Sequence, residues 1–278
     1  MDVVIISDKK GAALPELKKS FEKRGFEHVG FIYVGRVSLL TKGNQTKILV
    51  GTINFSKYNG VFLNVGQQFT QFVEPFLTEL SNKGIYCQLK PESYYVTSNK
   101  PFMNVVLNSR NIKTQKTFIV ANANLLEQAV KSFNFPVMFK TFVGAAKAQS
   151  IVIEDQRSFE SFAKSFRSKV DAIMVQEYLQ GDLDYCVVIG KNVFGVRRKW
   201  DREKAEHHSK LTPVSLSSKS TETAIKAAKT VGADIATVKL IGDTVLSVSP
   251  EVNFDRFGTA MGKDLNDSVA EHYFEVLK

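Results

Sequence analysis

Cysteine is scarce: the 278 residues contain two, Cys87 and Cys186. Two thiols cannot build a disulfide framework or a cysteine-rich zinc site, so a reducing, cytoplasmic setting is the simplest expectation. Histidine is as sparse, with four residues, two of them the neighbours His207 and His208. Adjacent side chains on an extended chain point apart, which disfavours a histidine-based metal site, and no convincing Ser/His/Asp or Cys/His arrangement stands out. Acidic residues fall short of basic ones, 28 against 37, for a formal net charge of +9. No window approaches the ~20 apolar residues of a membrane-spanning helix. Met1–Ser7 lacks the basic start and long apolar core of a signal peptide. A glycine-rich phosphate loop is also missing after the first apolar run, where Ser7-Asp8-Lys9-Lys10-Gly11 stands instead.

What remains is an ordinary globular composition, 44% hydrophobic, long enough for two or three packed units. The first ninety or so residues alternate strand and helix patterns. Val3–Ile6, Val29–Val34, Ile48–Val50 and Val61–Val65 are β-rich runs. Pro15 in a first turn, followed by Leu17 and Phe21 and stopped by Gly25, predicts a helix, as does the spacing of Phe69, Phe72, Val73, Phe76, Leu77 and Leu80. Such alternation implies a mostly parallel sheet covered by helices. The polar, turn-rich stretch Pro91–Asn99 marks a boundary, after which Lys100–Leu107 reads as a helix.

Strands are then expected at Phe118–Val120, Pro136–Lys140, Ser150–Glu154 and Ile173–Leu179, with helices at Leu125–Phe133, begun by an Asn124/Glu127 capping box, and Phe159–Phe166. Two hairpins follow: Tyr185–Ile189 with Val193–Arg197, turning at Gly190, and Ile235–Ile241 with Val245–Val252, turning at Gly242. A helix at Glu222–Val231 buries Ala224, Ala227 and Ala228, and another closes the chain from about Leu265 to Leu277.

Chemistry-bearing residues fall in a fixed order: Lys100; Lys140 ending Phe-Pro-Val-Met-Phe-Lys; Val-Gln-Glu-Tyr-Leu at 175–179, followed by Asp182 and Asp184; Val196-Arg197-Arg198-Lys199; and Glu251-Val252-Asn253. In this order and spacing the sequence resembles the ATP-grasp superfamily, and within it the RimK-type amino-acid ligases, from about residue 60 to the C-terminus.

The resemblance implies an α/β protein with α+β subdomains: an N-terminal Rossmann-like domain at 1–92, a central ATP-grasp subdomain at 93–180 and a C-terminal one at 181–278, with ATP between the last two. It implies ATP and Mg²⁺ as cofactors. Lys100 and Lys140 would contact phosphates and adenine, with Lys147 offering a further charge to phosphate. Gln176, Glu177, Tyr178 and Leu179 would read the adenine edge. Asp184, or else Asp182, would sit near the ribose. Arg198, with Arg197 and Lys199 as alternates, would steady the transferred phosphate, and Glu251 and Asn253 would ligate magnesium. The implied reaction joins a carboxylate to an amine through an acyl phosphate, in which the protein positions reactants and neutralises developing charge. Partners would be an acidic small molecule or peptide carboxylate and an amino acid; a homo-oligomer stays open.

The sequence also departs from the family pattern. The central loop Thr141–Gln149 holds one glycine, Lys239 stands where an acidic metal ligand is expected, Tyr185 replaces an arginine, and His208-Ser209-Lys210 replaces Arg-Ser-Asn. Two further readings therefore stand beside the ligase: a nucleotide-binding relative without turnover, and a small-molecule kinase of the same fold. Basic residues at 191–210 suit an anionic substrate. A nucleic-acid partner is disfavoured, because it would prefer exposed aromatics interleaved with the basic residues, and of the two nearby, Trp200 and Phe194, Phe194 reads as core.

Overall fold

The computed structural model describes residues 1–8, 13–51, 55–142, 149–165, 172–204 and 206–278. Its chain forms two compact units, one of residues 1–112 with 182–278, the other of residues 113–181. No described helix is long and apolar enough to cross a membrane.

The larger unit begins with β1 (Asp2–Ser7), α1 (Ala13–Lys23), β2 (His28–Tyr33), the hairpin β3 (Ser38–Lys42) and β4 (Gln45–Leu49), β5 (Gly60–Asn64), α2 (Thr70–Asn82) and β6 (Tyr86–Cys87). Strands β2-β1-β5-β6 make a parallel sheet in that order. The runs of β1 and β5 are nearly all apolar because both faces are covered. On one face Val3, Ile5 and Phe62 pack with Leu17 and Phe21 of α1; on the other Val4, Ile6, Val61 and Leu63 pack with Val73, Phe76 and Leu77 of α2. The N-terminal α/β domain implied by the resemblance has this form.

Helices α3 (Ser93–Ser98) and α4 (Lys100–Ser109) continue the same unit. The turn-rich stretch expected to be a boundary thus lies inside it, and the chain passes between units at Ile112/Lys113 rather than near residue 92. Burial explains the difference: Tyr94, Val96, Met103 and Leu107 join the core of α2, and even the polar Ser93 and Thr97 are fully buried. Asn99 starts α4 by accepting a hydrogen bond from the N–H of Phe102.

Residues 113–181 hold β7 (Thr117–Val120), α5 (Leu126–Val130), β8 (Val137–Phe142), β9 (Gln149–Ile153), α6 (Gln156–Ser165) and β10 (Ala172–Glu177). The antiparallel sheet runs β7-β10-β8-β9. Val120, Val137, Phe139, Ile153, Ile173 and Val175 turn one face toward Leu126 and Val130 of α5 and Phe159 of α6. The expected Asn124 capping box is not formed. Asn122 instead accepts from the N–H of Asn124 in an Asx turn, and a short 3₁₀ turn at Ala123–Leu125 precedes a briefer α5.

The chain returns to the larger unit with β11 (Leu183–Ile189), β12 (Asn192–Arg198), β13 (Trp200–Asp201), β14 (Glu206–His207), β15 (Thr212–Pro213), α7 (Ser218–Thr230), β16 (Ile235–Ile241), β17 (Thr244–Ser249), α8 (Phe254–Met261) and α9 (Asn266–Leu277). Strands β15-β12-β11-β16-β17 form one antiparallel sheet, and both hairpins turn on glycines of positive φ, Gly190 and Gly242 at +60° each. Ala224, Ala227 and Ala228 of α7 pack on one face with Cys186, Val188 and Val238, while α8 and α9 cover the other. The sequence pattern missed α8, whose start is capped by Asn253, and the small β13–β14 ribbon.

Candidate active site

In residues 113–181 the face of the sheet opposite the apolar core carries the candidates. Lys140 pairs in register with Met174, and Met174 with Ile119; one step along, Met138 pairs with Gln176, and Gln176 with Thr117. Side chains alternate across a pleat, so Lys140 and Gln176 share a face that Phe139 and Val175 do not. Gln176 is buried; its amide donates to Thr117 Oγ1 at 2.9 Å, while its Oε1 has no hydrogen-bond partner among the described residues. An unpaired buried acceptor is costly, and an amino donor from a ligand would remove that cost.

Glu177 ends β10. Its carboxylate accepts from the N–H of Lys116 at 2.8 Å and its carbonyl from Gln115 Nε2 at 3.2 Å. Strand pairing stops there, so Tyr178 and Leu179, expected within the strand, lie just past it. Burial, followed by the nearby charge of Glu154, raises the Tyr178 phenol above its usual range. Lys147 and most of the glycine-poor loop lie outside the described residues.

In the larger unit, strand alternation separates the basic residues. Arg198 stands opposite Leu183, and Tyr185 opposite both Val196 and Lys239, which itself stands opposite Ser247. Arg198, Tyr185, Lys239 and Ser247 therefore share a face. The Lys239 ammonium sits 5.3 Å from the centre of the Tyr185 ring, which also packs against Phe257 of α8. Arg198 is anchored through Nε to the His208 carbonyl at 2.7 Å. Lys199 is exposed, and its carbonyl accepts from the N–H of His208.

Asp184 and Arg197 lie on the opposite face, the one α7 covers. Arg197 donates to both Asp184 oxygens at 2.6 and 2.8 Å and approaches Asp182 at 3.4 Å. Hydrogen bonding to Asp184 raises the Arg197 guanidinium, already a permanent cation, further above its usual value. Asp182 in turn accepts from the N–H of Trp200 at 3.0 Å. Asp184, assigned to a ribose by resemblance, and Arg197, assigned to a phosphate, thus spend their polar atoms on each other.

Lys100 occupies the first turn of α4, half-buried. Glu251, expected inside the strand Val245–Val252, instead follows β17, because the ladder ends at Ser249 and Pro250 cannot donate. Its Oε1 accepts from the N–H of Gln67 at 3.1 Å; among the described residues Oε2 has no hydrogen-bond partner. Asn253 Oδ1 accepts from the N–H of Arg256 at 3.0 Å and so caps α8. A carboxylate oxygen and an amide oxygen two residues apart are the hard donors that Mg²⁺ takes, and the open Oε2 leaves one for it. The donor set therefore fits magnesium, with Lys239 as a fixed cation on the neighbouring strand.

A family model described as the RimK-like ATP-grasp domain matches residues 97–276. The chain belongs to the RimK-like ATP-grasp family. Among its relatives, a probable alpha-L-glutamate ligase of Shewanella loihica is 23% identical over 270 residues, covering 92% of this chain and 89% of that one. Another so named, from Azotobacter vinelandii, is 27% identical over 150 residues, covering 49% and 50%. Solved ATP-grasp proteins share the fold at low identity. The ligase PsnB, complexed with a precursor peptide and AMPPNP, superposes with a TM-score of 0.75 at 14% identity, covering 99% of this chain and 97% of that chain. The macrocyclase MdnC of Microcystis aeruginosa, bound with its precursor peptide, gives 0.71 at 13% identity, covering 99% and 100%. The fold is therefore ATP-grasp, as the order of lysines, acids and the final Glu-X-Asn implied.

Proposed function

We propose that this RimK-like protein is a cytoplasmic, ATP- and Mg²⁺-dependent, ADP-forming ligase that joins a carboxylate to an amine through an acyl phosphate. The reading rests above all on one observation. Lys140 and Gln176 share the sheet face opposite the core, and Gln176 Oε1 is a buried acceptor without a donor. Gln176 would accept from the adenine amino group, beside the strand end at Glu177, and Lys140 would meet phosphate with a compact ammonium. Arg198 is the arginine of its strand left for the transferred phosphate, since Arg197 is held by Asp184.

Glu251 and Asn253 would hold Mg²⁺, which when bound offsets charge on the phosphate oxygens. The protein needs no nucleophile of its own; it holds reactants in line and excludes water. The named activities of the relatives and the peptide-bound neighbours support an acidic small molecule or a peptide carboxylate as acceptor, and an amino acid as amine.

ADP release measured across a panel of amino acids and carboxylates tests this. Stimulated release is expected, with a loss of at least about 100-fold in Lys140→Ala. ATP binding without stimulation by any pair would refute ligation. Lys239 supports a second reading, nucleotide binding without turnover, because an ammonium one strand away partly replaces a metal's charge. That reading expects nucleotide affinity to be indifferent to Mg²⁺.

A further inference from the structure

The parallel sheet has its switch point between β1 and β5: the crossover from β1 leads to β2 on one side, and β5 adds on the other. The crevice beyond the carboxyl ends of two such strands is where open α/β sheets commonly bind ligands. Here the protein's own groups occupy it. Asp8, just past β1, accepts from the N–H of Gly66 at 3.0 Å and from the Gln68 side-chain amide at 2.9 Å, both just past β5. The buried Tyr94 of α3 donates to the Val65 carbonyl. Burial, then the charge of Glu251, pushes its phenol well up, so it remains a donor. The turn Val65–Gln68 is thus tied at both ends, and Gln67, between the ties, directs its N–H at Glu251 Oε1, 3.1 Å away and far along the chain.

Building on the magnesium role given to Glu251 above, we propose that this turn sets the coordinating geometry of Glu251, with Asp8 and Gln68 as positioning residues of the metal site. A carboxylate with one oxygen held by a main-chain N–H cannot rotate freely and presents the other oxygen, Oε2, in a fixed direction. Charge-assisted bonds of this kind are about twice as strong as neutral ones. Outer partners of metal ligands typically change metal affinity about 10- to 100-fold. Asp8 and Gln68 touch neither ion nor substrate; they act through Gln67. The arrangement also connects the N-terminal sheet to the metal site, whose ligands follow β17.

The test is Mn²⁺ binding to the full chain with ADP present, read by the paramagnetic resonance of free Mn²⁺, alongside ADP binding without metal. Asp8→Asn keeps the size of the side chain but removes the charge from the oxygen, Oδ2, that accepts from both Gly66 and Gln68. A loss of about 10-fold in Mn²⁺ affinity is expected, with metal-free ADP binding unchanged. Gly66→Ala is the second variant. Gly66 has φ −69°, open to any residue, but a Cβ there falls on the Gln68 amide, a flexible group that moves aside without unfolding the chain. It is expected to weaken Mn²⁺ by a smaller factor, and to leave thermal stability near wild type. Glu251→Gln is the reference for losing the ligand. If it weakens Mn²⁺ while Asp8→Asn and Gly66→Ala do not, the positioning role is overturned and the ligand assignment stands. If Glu251→Gln leaves Mn²⁺ affinity unchanged, the ligand assignment falls, and the positioning role with it.

Discussion

The two units hold their candidate residues by different means. In 113–181 a sheet with one apolar face places Lys140 and Gln176 by strand alternation, and Gln176 also donates to Thr117. In the larger unit the candidates are fixed by contacts between distant segments: Gln67 to Glu251, Asp184 to Arg197, Asp182 to Trp200. A pleat alternates with period 2 whatever surrounds it, so its faces follow from sequence. A long-range hydrogen bond follows only from topology. The first arrangement depends on the core beneath it, the second on individual polar pairs.

Three variants probe this contrast. Phe139 is fully buried, stacked on Phe159 with ring centres 5.9 Å apart and tilted against Phe162 at 5.1 Å. Phe139→Ala should cost about 3–5 kcal/mol, since the lost burial is joined by a cavity. Trp200, the single tryptophan, lies in the larger unit. Urea unfolding followed by circular dichroism should therefore show an early partial transition that Trp200 fluorescence does not share. Coincident curves would break the contrast.

Asp184→Asn removes the charge that Arg197 pairs with, while keeping shape. A cost of about 1–3 kcal/mol is expected, reported by Trp200 fluorescence in urea, with nucleotide affinity unchanged. A fall in affinity at unchanged stability would return Asp184 to the nucleotide.

The smallest effect concerns pH. His272 Nε2 lies 2.8 Å from the Tyr86 hydroxyl, which donates to Asp234 at the same distance. Burial lowers the His272 imidazole below its usual value, against the opposing charges of Asp234 and Glu275. The unfolded chain then binds the proton more readily, so this group's contribution to stability is complete above about pH 6.5 and is lost as the pH falls toward the depressed folded value. Melting temperature should decline less steeply from pH 7 to 5 in His272→Gln than in wild type. An unchanged slope would assign the decline to other groups.

Much of the fold was legible in the sequence. The apolar runs at 3–6 and 61–65 and the helical spacing at 69–80 predict a parallel sheet with its covering helices, and Gly190 and Gly242 predict the two hairpins. The face that Lys140 takes could be read the same way, although its strand, expected to end there, runs on to Phe142. Other features could not. The stretch 91–99 looks like a linker because its polar residues are the visible ones, yet Tyr94 and Val96 bury it. Asn253 looks like a ligand, and it also caps a helix that the pattern did not show. Asp184 and Arg197 are thirteen residues apart across a hairpin, and the turn at Gly190 sets the register that makes them a bonded pair on the helix-covered face. A signal was present, because counting alternate residues outward from that turn places Arg197 and Arg198 on opposite faces.

The sequence by itself determined the family, most of the strands and helices, and which residues could carry charge to a nucleotide, because these follow from residue type, spacing and local periodicity. Tertiary structure alone decided how those charges are used. It committed Arg197 to Asp184, set Lys239 over Tyr185, left Gln176 Oε1 without a donor, and brought the turn after β5 to Glu251. Each of these depends on how separate strands and turns meet, and its energy on burial and direction, neither of which local sequence encodes.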